Sequence, residues 1–427
     1  MSTDATGQGA QTTQVAQAAP QTPNTPNAAK KMKVAQIIPV FIAFFIMAFV
    51  DLVGTATNYV KPEFGLSDTV ANLFTTMVFF WFLLLSIPTG MVMNAIGRRR
   101  TVILSIWITV GSMIVPVIAY MATEGTLRFA LIVVSFCLLG IGNALMQVAL
   151  NPLMALFVTG ERLAGMLSTG QFVRAIASLL APYIAAWMLM EFGAWWGLFV
   201  VYLVVAVIGA VALELDVIEE PTYASDGLSV RQTAQLLRHP AVLLGFLCIV
   251  AHVGIDVGLN AQLPRILREN TGIEISIATA ATMVYFIGRM VGSFLGGIIL
   301  PRISGRTALR ICGGIMVACV ALFLVFTLAP VNPPVWVFWT ATVLAGVGNV
   351  NVFGIVMSRL LNDMPERQNE VSGLMITGLI GGAIVPPLMG VASDALGQVG
   401  AILVVAVGVA YIVFLGARFE LLEESKN

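Results

Sequence analysis

Twelve apolar runs, each about long enough to cross a bilayer as a helix, constrain this chain more than any other feature. Their approximate limits are 36–60, 70–94, 101–122, 127–157, 163–190, 195–215, 240–264, 276–300, 306–329, 335–361, 370–395 and 398–418. Only 10% of the residues are charged and 58% are hydrophobic, whereas an ordinary soluble domain is about 25% charged. The expected fold class is an all-α membrane protein with 12 transmembrane helices in two six-helix halves. The longest polar stretch, 216–239, holds Asp216, Glu219, Glu220, Asp226, Arg231 and Arg238 and separates the sixth run from the seventh. The chain therefore divides into a tail (1–32), a first half (33–215), a linker (216–239) and a second half (240–420). The tail is built of Gln, Thr, Ala and Pro without an apolar run, so it reads as a disordered arm and not as a secretory signal.

The two halves repeat each other. Gly140-Ile141-Gly142-Asn143 is followed by Asn151-Pro152, Glu161-Arg162 and Pro182. About 206 residues later come Gly346-Val347-Gly348-Asn349, Glu366-Arg367 and Pro386-Pro387. Gly90 and Gly297 each open a turn ending in arginines, Arg98, Arg99 and Arg100 in one half and Arg302 and Arg306 in the other. Asp51 and Asp256 stand alone inside apolar runs, 205 residues apart. A period this long marks a half-protein rather than a solenoid unit. Two polytopic halves of this kind read as the parallel repeat of a transporter, with the site between them.

Charge sets the orientation and removes several function classes. Lys30, Lys31, Lys33, Arg98, Arg99, Arg100, Arg162, Arg231, Arg238, Arg302, Arg306, Arg310, Arg359, Arg367, Arg418 and Lys426 fall on one side, against Lys61, Arg128, Arg265 and Arg268 on the other. By the positive-inside rule both termini lie in the cytoplasm. Net charge is zero, so a nucleic-acid partner has no electrostatic basis. Cys137, Cys248, Cys312 and Cys319 sit in apolar runs without CxxC spacing and read as buried thiols. The chain has two histidines, His239 and His252, no cluster spaced for a metal or for catalysis, and no P-loop. No cofactor, no metal and no enzymatic activity are expected. A channel or a non-transporting receptor is the remaining class, and the arginine turns in both halves argue against it.

The arrangement of six and six spans, the central linker and the turn Gly90-Met91-Val92-Met93-Asn94-Ala95-Ile96-Gly97-Arg98-Arg99-Arg100 resemble the major facilitator superfamily. In that superfamily an acidic residue usually stands at the position of Asn94. The resemblance narrows to the fucose:proton symporter family and its glucose/galactose relatives. Gly254-Ile255-Asp256-Val257-Gly258-Leu259-Asn260 is similar to their seventh span, Asn151-Pro152 to their fourth, and Gly288-Arg289 with Gly292 to their eighth. It implies the major facilitator fold and secondary active transport of a small sugar, a hexose or 6-deoxyhexose, by alternating access. It also implies proton symport across a bacterial inner membrane by a monomer in the lipid bilayer. Two positions depart from it. Gln147 stands where proton-coupled members carry a Glu four residues before the Asn-Pro, and Asn58 where they carry an Asp before Pro62-Glu63-Phe64. A sodium-coupled or passive sugar carrier is the alternative these departures keep open.

Ionisable groups at bilayer depth cost about 3 kcal/mol each, so they mark cavities or partners. Asp51, Arg174, Asp256, Arg289 and His252 lie near mid-span. Asp51, two turns before Asn58 on the same face, reads as a coupling carboxylate or substrate acceptor, or else as the ion-pair partner of Arg174. Arg174 never loses its charge and needs an anion. If Asp51 supplies it, a neutral sugar fits; if not, an organic anion or sugar acid bound by Arg174 fits better. Asp256 and His252 are four residues apart on one helix face. With Asp51 they are the proton-coupling candidates, and the competing role for Asp256 is an anchor to Arg289. Amides both donate and accept, which suits sugar hydroxyls. The expected substrate-binding set is Asp51, Asn58, Gln147, Gln171, Arg174, Asp256, Asn260 and Gln262, with Gln171 matched to a sugar-binding glutamine by the resemblance.

Asn143 and Asn349, inside the packed GxGN segments, read as mostly structural. Trp81 and Tyr285 read either as rings that stack on a sugar or as packing residues. Trp195, Trp196, Trp336 and Trp339, at the run ends, read as an interfacial belt. Arg98, Arg99, Arg100, Arg302 and Arg306 read as gating residues that pair with Glu161, Glu366 and Asp363.

Overall fold

The computed structural model describes residues 34–221, 229–278, 280–329 and 333–422. The tail 1–32, Lys33, Asp226 and Lys426 lie outside these residues. The described chain is helical, without strands. Among the described residues, eleven helices are long and apolar enough to cross a membrane. They are α1 (Gln36–Glu63), α3 (Arg98–Ala122), α4 (Gly125–Met154), α5 (Glu161–Phe192), α6 (Gly197–Leu215), α7 (Pro240–Thr271), α8 (Ala280–Arg302), α9 (Gly305–Leu328), α10 (Val335–Asp363), α11 (Pro365–Leu396) and α12 (Gln398–Ala417). The 29-residue α2 (Asp68–Ile96) occupies the place of the second run. The protein is thus an integral, multi-pass membrane protein.

Local chemistry sets the ends. Ser67 caps α2 by accepting from the Val70 N–H, and Ser304 caps α9 by accepting from the Thr307 N–H. Gly97, at φ 91°, makes the tight turn between α2 and α3 that a side chain would strain. The helices follow the predicted runs to within a few residues, with one clear exception. The seventh run was expected to end near residue 264, yet α7 continues to Thr271. Its last turns are charged and leave the apolar layer as a helix, because Arg265 pairs with Glu269 (2.6 Å) and Asp394 (3.7 Å).

The sequence repeat is also a packing repeat. In the first half α1 packs on α5 and α6, α2 on α4, and α3 on α4 and α6. In the second half α7 packs on α11 and α12, α8 on α10, and α9 on α10 and α12. The helices are not all continuous. A 3₁₀ turn, Ala48–Asp51, interrupts α1; α11 has another at Gly378–Ile380; α10 breaks at Asn351. Short 3₁₀ stretches within a long helix often mark hinges, and the first of these carries Asp51.

The halves meet through α2 with α11, α5 with α8 and α10, and α4 with α11. Small residues bring the backbones together. A Cβ on Gly90 would sit 2.8 Å from the Asn369 carbonyl, and one on Gly373 would sit 2.7 Å from the Ser86 carbonyl. These approaches gather at the end that bears Arg98, Arg302 and Arg367, here called the basic end.

Candidate functional site

One ion pair forms in each half near mid-span. In the first, Arg174 Nη2 lies 3.4 Å from Asp51 Oδ1, and Ser178 Oγ donates to Asp51 Oδ2 at 2.5 Å. Ser178 is one turn beyond Arg174 on α5, so a single helix face supplies both partners. Asp51 is 41% exposed, and Gly54 and Asn58 continue an exposed stripe along α1. In the second, Arg289 Nη1 lies 3.0 Å from Asp256 Oδ2, and the Tyr285 hydroxyl donates to the other carboxylate oxygen. The site is charge-balanced without a ligand.

The polar residues around the pairs divide into those with partners inside the protein and those without. His252 and Asp256 share a face of α7 but not a bond. His252 Nδ1–H donates to Asn349 Oδ1 (3.0 Å), and Asn349 Nδ2 donates back to the His252 carbonyl (3.0 Å). This reciprocal clamp ties α7 to α10 and gives His252 and Asn349 a structural role in this conformer. Replacing Asn349 by leucine is expected to destabilise the protein by about 1–3 kcal/mol, because a buried imidazole loses its partner. Thermal unfolding in detergent checks this, and the pH profile of uptake is expected to stay where it is. A shifted profile would return His252 to coupling.

Gln147 is buried, and its carbonyl accepts from Asn151 Nδ2 (2.7 Å). Gln171 is half-buried on α5, one turn before Arg174. Asn260, one turn beyond Asp256, has a buried Oδ1 without a hydrogen-bond partner. Gln262 is buried and lies about 200° round α7 from Asn260, so it points away from the Asp256 face. Tyr285 is fully buried and committed to Asp256, so its ring is not available to stack on a ligand. Trp195 is likewise not a belt residue. It is buried, stacked on Tyr59 (4.8 Å) and edge-on to Tyr120 (5.3 Å). Trp336 is exposed, as a belt residue should be.

The five expected gating arginines separate. Only 2% of Arg98 is exposed; Nε donates to Asn369 Oδ1 (2.7 Å) on α11 and Nη1 to the Pro152 carbonyl (2.7 Å) on α4. Asn369 Nδ2 donates to Asn94 Oδ1 (2.6 Å), and Asn94 Nδ2 donates to Glu370 Oε1 (2.7 Å). An amide at 94 can do both, where a carboxylate could only accept; the acid stands opposite it, on α11. Ser372 Oγ adds a bond to the Val148 carbonyl (2.7 Å), and Asn362 exchanges two bonds with the Gly160 backbone (3.0 and 3.2 Å).

The other arginines stay within their own half in the contacts described. Arg99 donates to the Leu213 and Glu214 carbonyls (3.0 and 2.6 Å), while Arg302 donates to Ile298 of its own helix (3.0 Å). Among the described contacts Arg306 pairs with Glu420, and Asp363, expected as a gating acid, pairs with Arg359 (3.1 Å). Arg100 is exposed. Glu220, in the linker, accepts from the Arg98 and Arg99 N–H groups (2.6 and 2.8 Å) and caps α3. No spacing in the sequence pointed to Asn369, Glu370 or Asn362. Ser178 was within reach as the residue one turn after Arg174.

The sequence profile described as Major Facilitator Superfamily matches residues 40–386. This chain belongs to the major facilitator superfamily. It is a transporter, not an enzyme. Over 376 residues it is 25% identical to a glucose/galactose transporter of Brucella abortus, covering 84% of this chain and 87% of the relative. Over 386 residues it is 23% identical to the cis,cis-muconate transport protein of Acinetobacter baylyi, covering 85% and 87%. The solved structure of the Escherichia coli fucose:proton symporter superposes with a TM-score of 0.75 at 17% identity, covering 90% of this chain and 99% of that one. That likeness establishes a shared fold.

Proposed function

We propose that this superfamily member is a secondary active transporter of a small neutral sugar, a hexose or 6-deoxyhexose, driven by protons. The observation that carries this reading is the pairing of Arg174 with Asp51 (3.4 Å), matched by Arg289 with Asp256 (3.0 Å). Each cation already has its anion, so a neutral ligand enters without disturbing the charge balance. The described function of the Brucella abortus relative agrees with this reading. Asp51, Asn58, Gln147, Gln171, Arg174, Asp256 and Asn260 are the residues assigned to the substrate.

The halves 33–215 and 240–420 rock as two bodies joined by the linker 216–239. The basic end faces the cytoplasm, with both termini, in a bacterial inner membrane, and the working unit is the monomer. Contacts between the halves at that end support a conformer that opens to the outside. Asp51 is assigned the coupling proton. On protonation it releases Arg174, which links the proton to the position of α5.

A second reading is favoured by the similarity to a muconate transport protein together with the two arginines of this chain's own site. There, a substrate carboxylate would replace Asp51 on Arg174. Counterflow of radiolabelled glucose, galactose and fucose in liposomes separates the two. Exchange of neutral sugars is expected, with muconate and glucuronate failing to compete; exchange of acids alone would sink the sugar reading. In the same vesicles Asp51→Asn is expected to keep counterflow but lose accumulation driven by a pH gradient. Undiminished accumulation would remove Asp51 from the mechanism, and accumulation driven only by sodium would replace the proton.

A further inference from the structure

Within the repeat, the first and fourth spans of one half correspond to the seventh and tenth of the other, and one difference between them bears on the polar residues. Asp51 corresponds to Asp256 and Asn143 to Asn349, and the residue at the position of His252 is Met47. In the second half the imidazole and the amide satisfy each other (3.0 Å each way). A thioether offers only a weak acceptor. The amide of Asn143 shows the consequence: the residue is 2% exposed, and neither Nδ2 nor Oδ1 has a hydrogen-bond partner.

A second orphan lies beside it. Trp81 of α2 packs its indole on α4 at Gly140, where a Cβ would sit 2.6 Å from Trp81 Cδ1. Its Nε1–H is also buried without a partner. Gly140 and Asn143 are three residues apart, neighbours on one helix face. The same helix packs against the 3₁₀ turn that carries Asp51. Two unsatisfied donor groups and one unsatisfied acceptor therefore lie on or against α4, the helix that packs on the turn carrying Asp51. Buried polar groups are almost always bonded, and exceptions call for an explanation.

We propose that Asn143 and Trp81 form a hydroxyl-binding subsite in the first half. The amide accepts from one sugar hydroxyl and donates to its neighbour, and the indole N–H donates to a further oxygen. The subsite suits a polyol rather than an acid, since it supplies one neutral acceptor and no charge. It exists because Met47 leaves free the amide that His252 consumes in the other repeat. This rests on the sugar reading above and deepens it.

The test measures two quantities for each variant, the ligand-free unfolding temperature and the affinity for hexoses and their monodeoxy analogues. Asn143→Leu is expected to keep or raise the unfolding temperature and to weaken hexose binding about tenfold, the worth of one net hydrogen bond. The analogue lacking the hydroxyl that Asn143 contacts is expected to lose little. Trp81→Phe keeps the ring and removes only the N–H, with a similar loss for a different analogue. Met47→His grafts the second-half clamp, so the unfolding temperature is expected to rise while affinity falls. If Asn143→Leu lowers the unfolding temperature and leaves every affinity intact, Asn143 is a helix brace and the proposal is overturned. A more stable Met47→His with full affinity overturns it too. If the wild type binds no neutral sugar, the sugar reading fails and takes the subsite's ligand class with it; if wild type and variants bind sugars equally, only the subsite fails.

Discussion

Replacing Arg289 by methionine is expected to destabilise the protein by about 3 kcal/mol, the lower end of what removing one member of a buried ion pair costs. The lower end applies because the two side chains are 25% and 14% exposed, so water recovers part of the loss. What remains is a carboxylate at bilayer depth with the Tyr285 hydroxyl as its partner and no cation. Removing the acid as well should undo most of the damage, because a pair replaced by apolar side chains is close to neutral for stability. Arg289→Met/Asp256→Leu is therefore expected to unfold at a higher temperature than Arg289→Met alone. A double-mutant cycle of thermal unfolding in detergent reads this directly. Single and double variants of equal stability would mean that the pair is not coupled. Uptake would still be expected to fall in the double variant, since Asp256 lies in the site.

Arg98→Met is expected to have the largest effect on conformation. The side chain makes two charge-assisted bonds, to Asn369 (2.7 Å) and Pro152 (2.7 Å), and the first crosses between the halves. Bonds to charged groups are worth about 1.5–3 kcal/mol each. In the proposed rocking of the halves this bond breaks when the basic end opens, so its loss falls on the closed state alone. A shift of about 2 kcal/mol is more than tenfold in the equilibrium between closed and open. Spin labels placed on the two halves at the basic end should report a longer distance population in Arg98→Met. Arg100→Met, at an exposed neighbour on the same helix, serves as the control and should leave the distances unchanged. If Arg98→Met leaves the distribution as in the wild type, the Arg98 contact is not part of the gate.

The helices of this protein are a property of its sequence. A run of apolar residues in a bilayer has to satisfy its backbone internally, which only a helix does for a single run. Length alone then places the spans, and the repeat of residues forces the same helix pairings in both halves. The ion pairs were also within reach of sequence reasoning. So few charges lie at mid-span that Asp51 and Arg174, or Asp256 and Arg289, had hardly any other partners.

Other features were settled only in three dimensions. Asn94 lies about 275 residues from Asn369 and Glu370 and shares no motif with them, yet the three make one hydrogen-bonded seam. Trp195 and Tyr285 have the composition of belt or ligand residues and turn out to be packed by neighbours from other helices. Asn143 and Asn349 share the GxGN motif and differ in satisfaction, because the partner of Asn349, His252, comes from another span. The distinction is physical. Crossing a bilayer depends on the hydropathy of one continuous segment, which the sequence carries locally. A side chain's partner depends on how two helices cross and which residue the second one presents, and that is decided only when the helices pack.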